Sequence, residues 1–206
     1  MSPSGPNPPF EFTGGNLALD FANTVNNRHR ENRTELLTDY QRLLQWAGET
    51  RVLTSKAADR LKHLAGQVPK ETQSALTHAI ELREAIHAIF SAVADRREVP
   101  AQALARLNTF VQAAAEHAQI TRSNRRFAWE WILPDSHLES MLWPVARAAA
   151  DLLTSSDLIF VRRCASDTCR WLFLDKTKNH RRRWCEMKTC GNRDKARRYY
   201  QRQKAG

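Results

Sequence analysis

Four cysteines carry the clearest chemistry in this chain. They stand as Cys164-x4-Cys169, fifteen residues, then Cys185-x4-Cys190, and they are the chain's 4 cysteines in all. Two close pairs on a short connection suit a tetrahedral zinc site. Each pair must curl so that two sulfurs point at one ion, and the connection must bring the pairs together. Bound Zn²⁺ lowers the thiol pKa, so four thiolates can coexist around it. The bland alternative is four unrelated buried thiols, but the surrounding segment has too few apolar residues to bury them. A four-cysteine site leaves no open coordination position, so the expected cofactor is one structural Zn²⁺ and not a catalytic one. A module this short cannot form a sufficient hydrophobic core alone, and zinc supplies on the order of 10 kcal/mol in such cases.

Charge divides at the same place as the cysteines. Residues 162–206 hold 15 Lys/Arg and 4 Asp/Glu, against 17 and 18 in the rest of the chain, so a tail of +11 follows a body of −1. Such asymmetry points to a polyanionic partner, nucleic acid or an acidic membrane surface; the alternative is a basic face that only aids solubility. On a helical wheel from Asn192 onward, Ala196, Tyr199, Tyr200 and Gln203 share one arc of about 100°. Lys195, Arg197, Arg198, Arg202 and Lys204 take most of the other side. The expected arrangement packs the first stripe on the rest of the module and turns the basic side outward, to enter a major groove or follow a phosphate backbone. The expected nucleic-acid contacts are Arg181, Arg182, Arg183, Arg193, Lys195, Arg197, Arg198 and Arg202, because guanidinium groups suit bidentate contact with phosphate or guanine. Trp184 either packs beside the zinc or stacks on a base.

The body offers a second constellation. Asp20 and Thr24 fall beside Leu17 and Phe21, at the margin of an inward helix face, with Asn23 nearby and Arg28 on the same side. In a later helix, Arg83 and His87 sit within the apolar stripe, four residues apart. Polar groups on an inward face must be paired or must line a cavity. The structural reading is an internal salt bridge, Asp20 with Arg83; the functional one is a small pocket for a polar or anionic ligand, lined by Asp20, Asn23, Thr24, Arg28, Arg83 and His87.

The elements that would position these groups follow from periodicity and punctuation. Residues 1–9 read as a disordered leader. Residues 10–13 alternate like a short strand, Gly14-Gly15 turns the chain, and Asn16 caps a helix to about Asn26. Asp39 or Thr38 caps a helix through Trp46, and Thr54 or Ser55 another to Gly66. Pro69 opens the longest helix, to about Arg97, with Leu76, Ala79, Ile80, Ile86, Phe90 and Val93 as its stripe. Pro100 opens a helix to about Ala118. Two strand-like runs follow, 119–122 and 126–133, joined by a turn at 123–125. A last helix runs from Leu138 to Leu153, with a start at Asp135 or Ser136 and a kink or a new start at Pro144. The expected fold is α+β: a mostly helical body (10–158) with a small antiparallel sheet, then a zinc module (159–206), the boundary lying near Ser156–Arg162. Within the module, 170–175 and 181–185 read as a hairpin around a polar turn. Cys190-Gly191-Asn192 reads as a helix start with Asn192 as cap. A knuckle, a hairpin and a helix whose first turn carries the last ligand make a treble clef.

These motifs also bear a resemblance. The segment from Cys164 through RWLFLDKTKNHRRRWCEMKTCGNRDKARRYYQR resembles the CGNR zinc finger, named for Cys190-Gly191-Asn192-Arg193. The opening FEFTGGNLALDFANTV, with Leu19-Asp20-Phe21 and Asn23-Thr24, resembles the start of the ABATE domain that precedes this finger in bacterial proteins. Together they extend from about Phe10 to Gln203. The resemblance implies a stress-responsive transcription regulator at the nucleoid of a bacterial cytoplasm, with a treble-clef finger for double-stranded DNA and an N-terminal domain sensing a small ligand. A homodimer is an open possibility, since one finger reads a short site.

The same residues admit other classes. An RNA-binding or ribosome-associated protein would use the same basic helix. A nuclease would need more than His180 between the cysteine pairs, and no acidic cluster accompanies it; no P-loop, dinucleotide fingerprint or Ser/Cys–His arrangement is present, so the expectation is a non-enzyme. A finger used only for protein contacts fits the charge less well. The N-terminus shows no basic segment followed by an apolar one, and no apolar run approaches membrane-spanning length, which points to a cytoplasmic chain with reduced cysteines and no membrane partner.

Overall fold

The structure, a computed structural model, describes residues 8–28, 30–123, 126–132 and 137–205. Most of the expected leader, the 123–125 turn in large part and the expected helix start at 135–136 lie outside the described residues. Among the described residues the body has six α-helices, α1 (Leu17–Ala22), α2 (Tyr40–Glu49), α3 (Ser55–Gln67), α4 (Pro69–Ala94), α5 (Ala101–Glu116) and α6 (Leu142–Leu153), followed by a 3-10 turn (Ser156–Phe160). Between them lie two small antiparallel sheets, β1 (Val25–Asn26) with β2 (Thr34–Glu35), and β3 (Ala118–Ser123) with β4 (Arg126–Trp131). The final part holds β5 (Val161–Arg163) paired antiparallel with β6 (Leu172–Leu174), a π-turn over 187–191, and α7 (Asn192–Ala205). No helix among the described residues is long and apolar enough to cross a membrane.

Capping chemistry sets most helix starts. Asn16 accepts the Ala18 N–H at 2.9 Å, Asp39 accepts Arg42 N–H at 2.8 Å and Thr54 accepts Ala57 N–H at 3.2 Å, each satisfying a donor that the first turn leaves open. Pro69 stands at the first position of α4, where its missing N–H costs nothing. α6 begins at Leu142, so Pro144 sits in the first turn and breaks no helical hydrogen bond. α1 is shorter than expected and stops at Ala22, because Asn23 is needed elsewhere. Residues 10–13 form no strand: their neighbour β6 bonds to the next residue instead, Leu174 N–H donating to the Gly14 carbonyl at 2.8 Å.

α4 is the central element. It meets α1, α2, α3, α5, α6, β5 and β6, and buries Leu76, Ala79, Leu82, Arg83, Ile86, Ile89 and Phe90. The main core joins these to Leu19 and Phe21 of α1, Trp46 of α2 and Val145 and Ala149 of α6. It also takes in Val161, Leu172 and Leu174 from the β5–β6 hairpin. A second, smaller cluster holds Cys164, Trp171, Phe173, Cys185 and Cys190. Strand β6 serves both clusters by its period of two: Leu172 and Leu174 face the body, while Trp171 and Phe173 face the cysteines.

Candidate metal centre and basic face

β5 ends where Cys164 begins, and the chain reverses within six residues. Cys169 N–H donates to the Ser166 carbonyl at 3.1 Å and Arg170 N–H to the same oxygen at 3.3 Å. Arg170 completes the reversal at φ 60°, a left-handed conformation that a non-glycine residue adopts only where the surroundings hold it. Cys164 N–H then meets the Trp171 carbonyl at 2.7 Å, which closes the knuckle onto β6.

The second pair comes from a tight loop and a helix start. Asp175 is fully buried and organises the loop: its carboxylate accepts from Thr177 N–H at 3.0 Å, Thr177 Oγ1 at 2.6 Å and Arg182 N–H at 2.9 Å. Burial works against its charge, but those donors and nearby His180 outweigh it and hold the carboxyl below the usual carboxylate range. The return segment is therefore not the expected strand. Ala165 N–H donates to the Arg183 carbonyl at 2.8 Å, but no strand pairing forms there, and the hairpin that forms is β5–β6. The helix starts a turn earlier than expected. Glu186 caps it by accepting Lys188 N–H at 3.2 Å, so Cys190 and Gly191 lie in its first, π-type turn, and Asn192 is already helical.

The four sulfurs all lie within 4.8 Å of one another, with Cys169–Cys185 at 3.5 Å and Cys185–Cys190 at 3.7 Å. A tetrahedral ion with Zn–S bonds of about 2.3 Å requires sulfurs about 3.8 Å apart, whereas a disulfide requires about 2.05 Å. The cluster fits one structural zinc ion. Four sulfurs this close cannot all ionise without a cation between them.

The finger is docked on the body by residues of the chain's opening motif. Asn23, 2% exposed, behaves as a strand edge toward β6: its Nδ2 donates to the Leu172 carbonyl at 2.8 Å and its Oδ1 accepts Leu172 N–H at 2.9 Å. Trp171 Nε1 donates to the Val25 carbonyl at 2.9 Å. Gly14 both receives Leu174 N–H and donates its own N–H to Asp20 Oδ1 at 2.7 Å. A Cβ on Gly14 would stand 2.9 Å from both Asp20 N and Oδ1, which is too close for any side chain. Gly15 follows at φ 71°, the region glycine occupies freely. Asp20 is left largely buried beside one donor, and burial, opposed by the Gly14 N–H, raises its pKa to about 6.

The other expected pocket residues have partners within the protein. Arg83 is fully buried and does form an internal salt bridge, but with Glu35 and not Asp20: its NH2 meets Glu35 Oε2 at 2.8 Å while NH1 meets Oε1, and its Nε donates to Glu84 at 3.0 Å. Arg28 pairs with the same Glu84 and donates to the Ala22 carbonyl at 3.2 Å. Burial opposes the charge of Glu84, yet Arg28 and Arg83 lower its pKa. Thr24 spends its hydroxyl on the Phe21 carbonyl at 2.8 Å. His87 stands 3.4 Å from Ser91 Oγ. Polar groups on an inward face had to be paired, and here they are paired by protein.

The basic residues separate into two kinds. Arg182 is structural: it donates to the Trp184, Cys185 and Thr13 carbonyls and lies over the Phe173 ring at 4.5 Å, so it is withdrawn from the expected contact set. Arg193 donates to Thr168 Oγ1 at 2.8 Å, Arg197 pairs with Asp167 and Asp194, and Arg198 with Asp194. These are surface contacts at the knuckle–helix junction. Arg181, Arg183, Lys195 and Arg202 are exposed, Arg183 beside the Trp184 ring at 5.1 Å. Trp184 packs against the cysteine cluster, as one of its two expected roles requires. His180 stacks on Phe160 at 3.9 Å and its Nδ1 lies 2.9 Å from the Asp175 carbonyl. The expected packing stripe of α7 is not packed: Tyr199 and Tyr200 are 61% and 66% exposed, and Ala196 is exposed too.

Sequence reasoning missed Gly14, Trp171 and Asp175 as functional positions, and gave Arg182 a nucleic-acid role where the structure gives it a structural one. The signals were present in part. The Gly14-Gly15 pair marked a special backbone, and the 171–174 alternation marked a strand with two buried faces; Asp175 and Arg182 carried no signal beyond their types.

Comparison with known proteins agrees with this architecture. Residues 15–156 match the ABATE family model, described as "Putative stress-induced transcription regulator", and residues 161–203 match the CGNR zinc finger. No curated protein matches the chain. The first match alone covers more than half of the sequence, with the finger's four ligands clustered behind it, and the chain therefore belongs to the ABATE family with a C-terminal CGNR zinc finger.

Proposed function

We propose that this chain is a transcription regulator that binds double-stranded DNA through its finger, with α7 and the exposed loop residues Arg181 and Arg183 as the contact surface. The observation that carries the reading is α7 itself. It is exposed along nearly its whole length, presents Lys195, Arg197, Arg198, Arg202 and Lys204, and is held at its base by the zinc cluster. A rigid base and a free basic shaft suit a helix that lies against a phosphate backbone or enters a groove. The pairs of Arg197 and Arg198 with Asp167 and Asp194 do not prevent this, since exposed ion pairs contribute little and phosphate can replace the carboxylate. On this reading the protein binds and does not catalyse. No ligand is assigned to the N-terminal domain, because the residues expected to receive one are engaged with other parts of the protein.

Selection from random duplex DNA, followed by affinity against salt, tests the proposal. Binding should weaken steeply with salt, and Lys195→Ala with Arg202→Ala should reduce the slope of log K against log salt by about 2. Tighter binding to structured RNA than to any selected duplex would transfer the surface to an RNA partner. A salt-independent affinity would remove the basic face from the reaction altogether.

A further inference from the structure

The β3–β4 hairpin presents an almost wholly exposed outer strand. It forms a sheet of two strands, and its large residues Ile120, Phe127 and Trp129 are 64%, 73% and 53% exposed. A lone two-stranded hairpin is marginal in water, and apolar residues gathered on one exposed face mark an interaction surface. The Arg147 guanidinium of α6 lies over the Trp129 ring at 4.5 Å and pairs with Asp151 at 2.7 Å, which holds that ring in place.

The outer edge of β4 can be read residue by residue. Ile132 N–H donates to the His117 carbonyl at 2.8 Å, so His117 and Ile132 are a hydrogen-bonded pair. Alternation along the register makes Gln119–Glu130 and Thr121–Ala128 hydrogen-bonded pairs too. Phe127 and Trp129 therefore turn their N–H and C=O groups away from β3, toward the open edge.

We propose that this edge is the seam of a two-fold homodimer, with β4 pairing antiparallel to β4 of a second copy about Ala128. In that register Phe127 stands opposite Trp129 of the second copy, and Arg126 opposite Glu130, each contact occurring twice by symmetry. The segment Arg126-Phe127-Ala128-Trp129-Glu130 is thus complementary to itself: cation, aromatic, small residue, aromatic, anion. The pairing joins two hairpins into one four-stranded sheet with continuous aromatic residues on one face and closed ion pairs on the other. The neighbouring register about Trp129 sets Arg126 against Ile132 and Ala128 against Glu130, leaving every charge unmatched. The β3 edge, paired about Ile120, would set Arg122 against Ala118 and has no charge pair. Of these three registers, the one on β4 about Ala128 satisfies hydrogen bonds, aromatic residues and charges together. The proposal does not depend on nucleic acid.

Sedimentation equilibrium on the full zinc-loaded chain, without DNA, tests it. The unaltered chain should dimerise. Arg126→Glu and Glu130→Arg should each weaken dimerisation by about tenfold or more, since each turns two attractive contacts into two repulsive ones. The double exchange, R126E with E130R, should restore it, because the pattern remains self-complementary when both signs are reversed. Far-UV circular dichroism and zinc content check that all variants fold. A monomeric parent chain, a dimer indifferent to both single changes, or a double variant as weak as the singles would each overturn the proposal.

Discussion

Replacing Asn23 with alanine would separate the two roles this residue could have. In the structure its amide closes two hydrogen bonds, 2.8 and 2.9 Å, on the backbone of Leu172, and both residues are buried, at 2% and 0% exposure. Alanine would leave one buried N–H and one buried C=O without partners. Each such group costs about 1–3 kcal/mol, so the pair costs about 2–6, and a central value is about 4 kcal/mol. For a chain of this length that corresponds to a fall in Tm of roughly 8–16 °C. Thermal unfolding of the zinc-saturated chain measures it. A second readout follows from the position of the bonds. Leu172 lies on the strand that leaves the knuckle of Cys164 and Cys169, so a loosened dock should speed zinc transfer to a competing chelator. Thr24→Val is the control: its hydroxyl bonds only to Phe21 within the same turn, and its loss should cost about 1 kcal/mol with zinc transfer unchanged. If Asn23→Ala cost no more than Thr24→Val and left zinc transfer untouched, the docking role would be refuted.

Two further outcomes follow from the buried charges. Asp20 has a pKa of about 6 in the folded chain against an ordinary 3.8, so between those values the folded state binds more protons than the unfolded one. Stability from this group is full below its unfolded pKa and is lost as pH rises through 6, by up to about 3 kcal/mol; urea unfolding should show the parent chain losing that much relative to Asp20→Asn as pH rises from about 4 to about 7. Arg83→Met should destabilise by about 3–5 kcal/mol, because it strands Glu35 and Glu84 beside a buried site. Adding Glu35→Gln should recover part of that loss, and strict additivity in this double-mutant cycle would deny the pairing.

What could be read from residues alone was what depends on short spacing. The zinc ligands were legible because coordination geometry limits both residue type and separation. Helix starts at Asn16, Asp39, Thr54 and Pro69 were legible because capping is decided within three residues. Partners distant in sequence were not. Arg83 was correctly expected to need an anion, but Asp20 and Glu35 are chemically equivalent candidates, and only the packing of β2 against α4 chooses Glu35. The return strand at 181–185 failed for a related reason. Its pattern suits a strand, but Asp175 draws Arg182 N–H into a tight loop, and β6 finds β5 on one side and the Gly14 and Asn23 groups on the other.

That last arrangement changes the meaning of the opening motif. Asp20, Asn23 and Thr24 look like pocket residues because they are polar on an inward face, and the inference from burial to partnership was sound. For Asn23 directly, and for Asp20 through Gly14, the partner is the finger, while Thr24 bonds Phe21 beside it. Asn23 bonds the backbone of β6, Gly14 bonds it one residue pair further on, and Asp20 holds Gly14 from behind. Leu172, Leu174 and Val161 complete the core of the body, so residues 161–206 cut from it would expose three apolar side chains, and the body cut from them would open its core. The metal centre and the helical body are consequently coupled through β6. On the function proposed above, this strand, whose two faces belong to both clusters, is the connection between the body and the helix that binds.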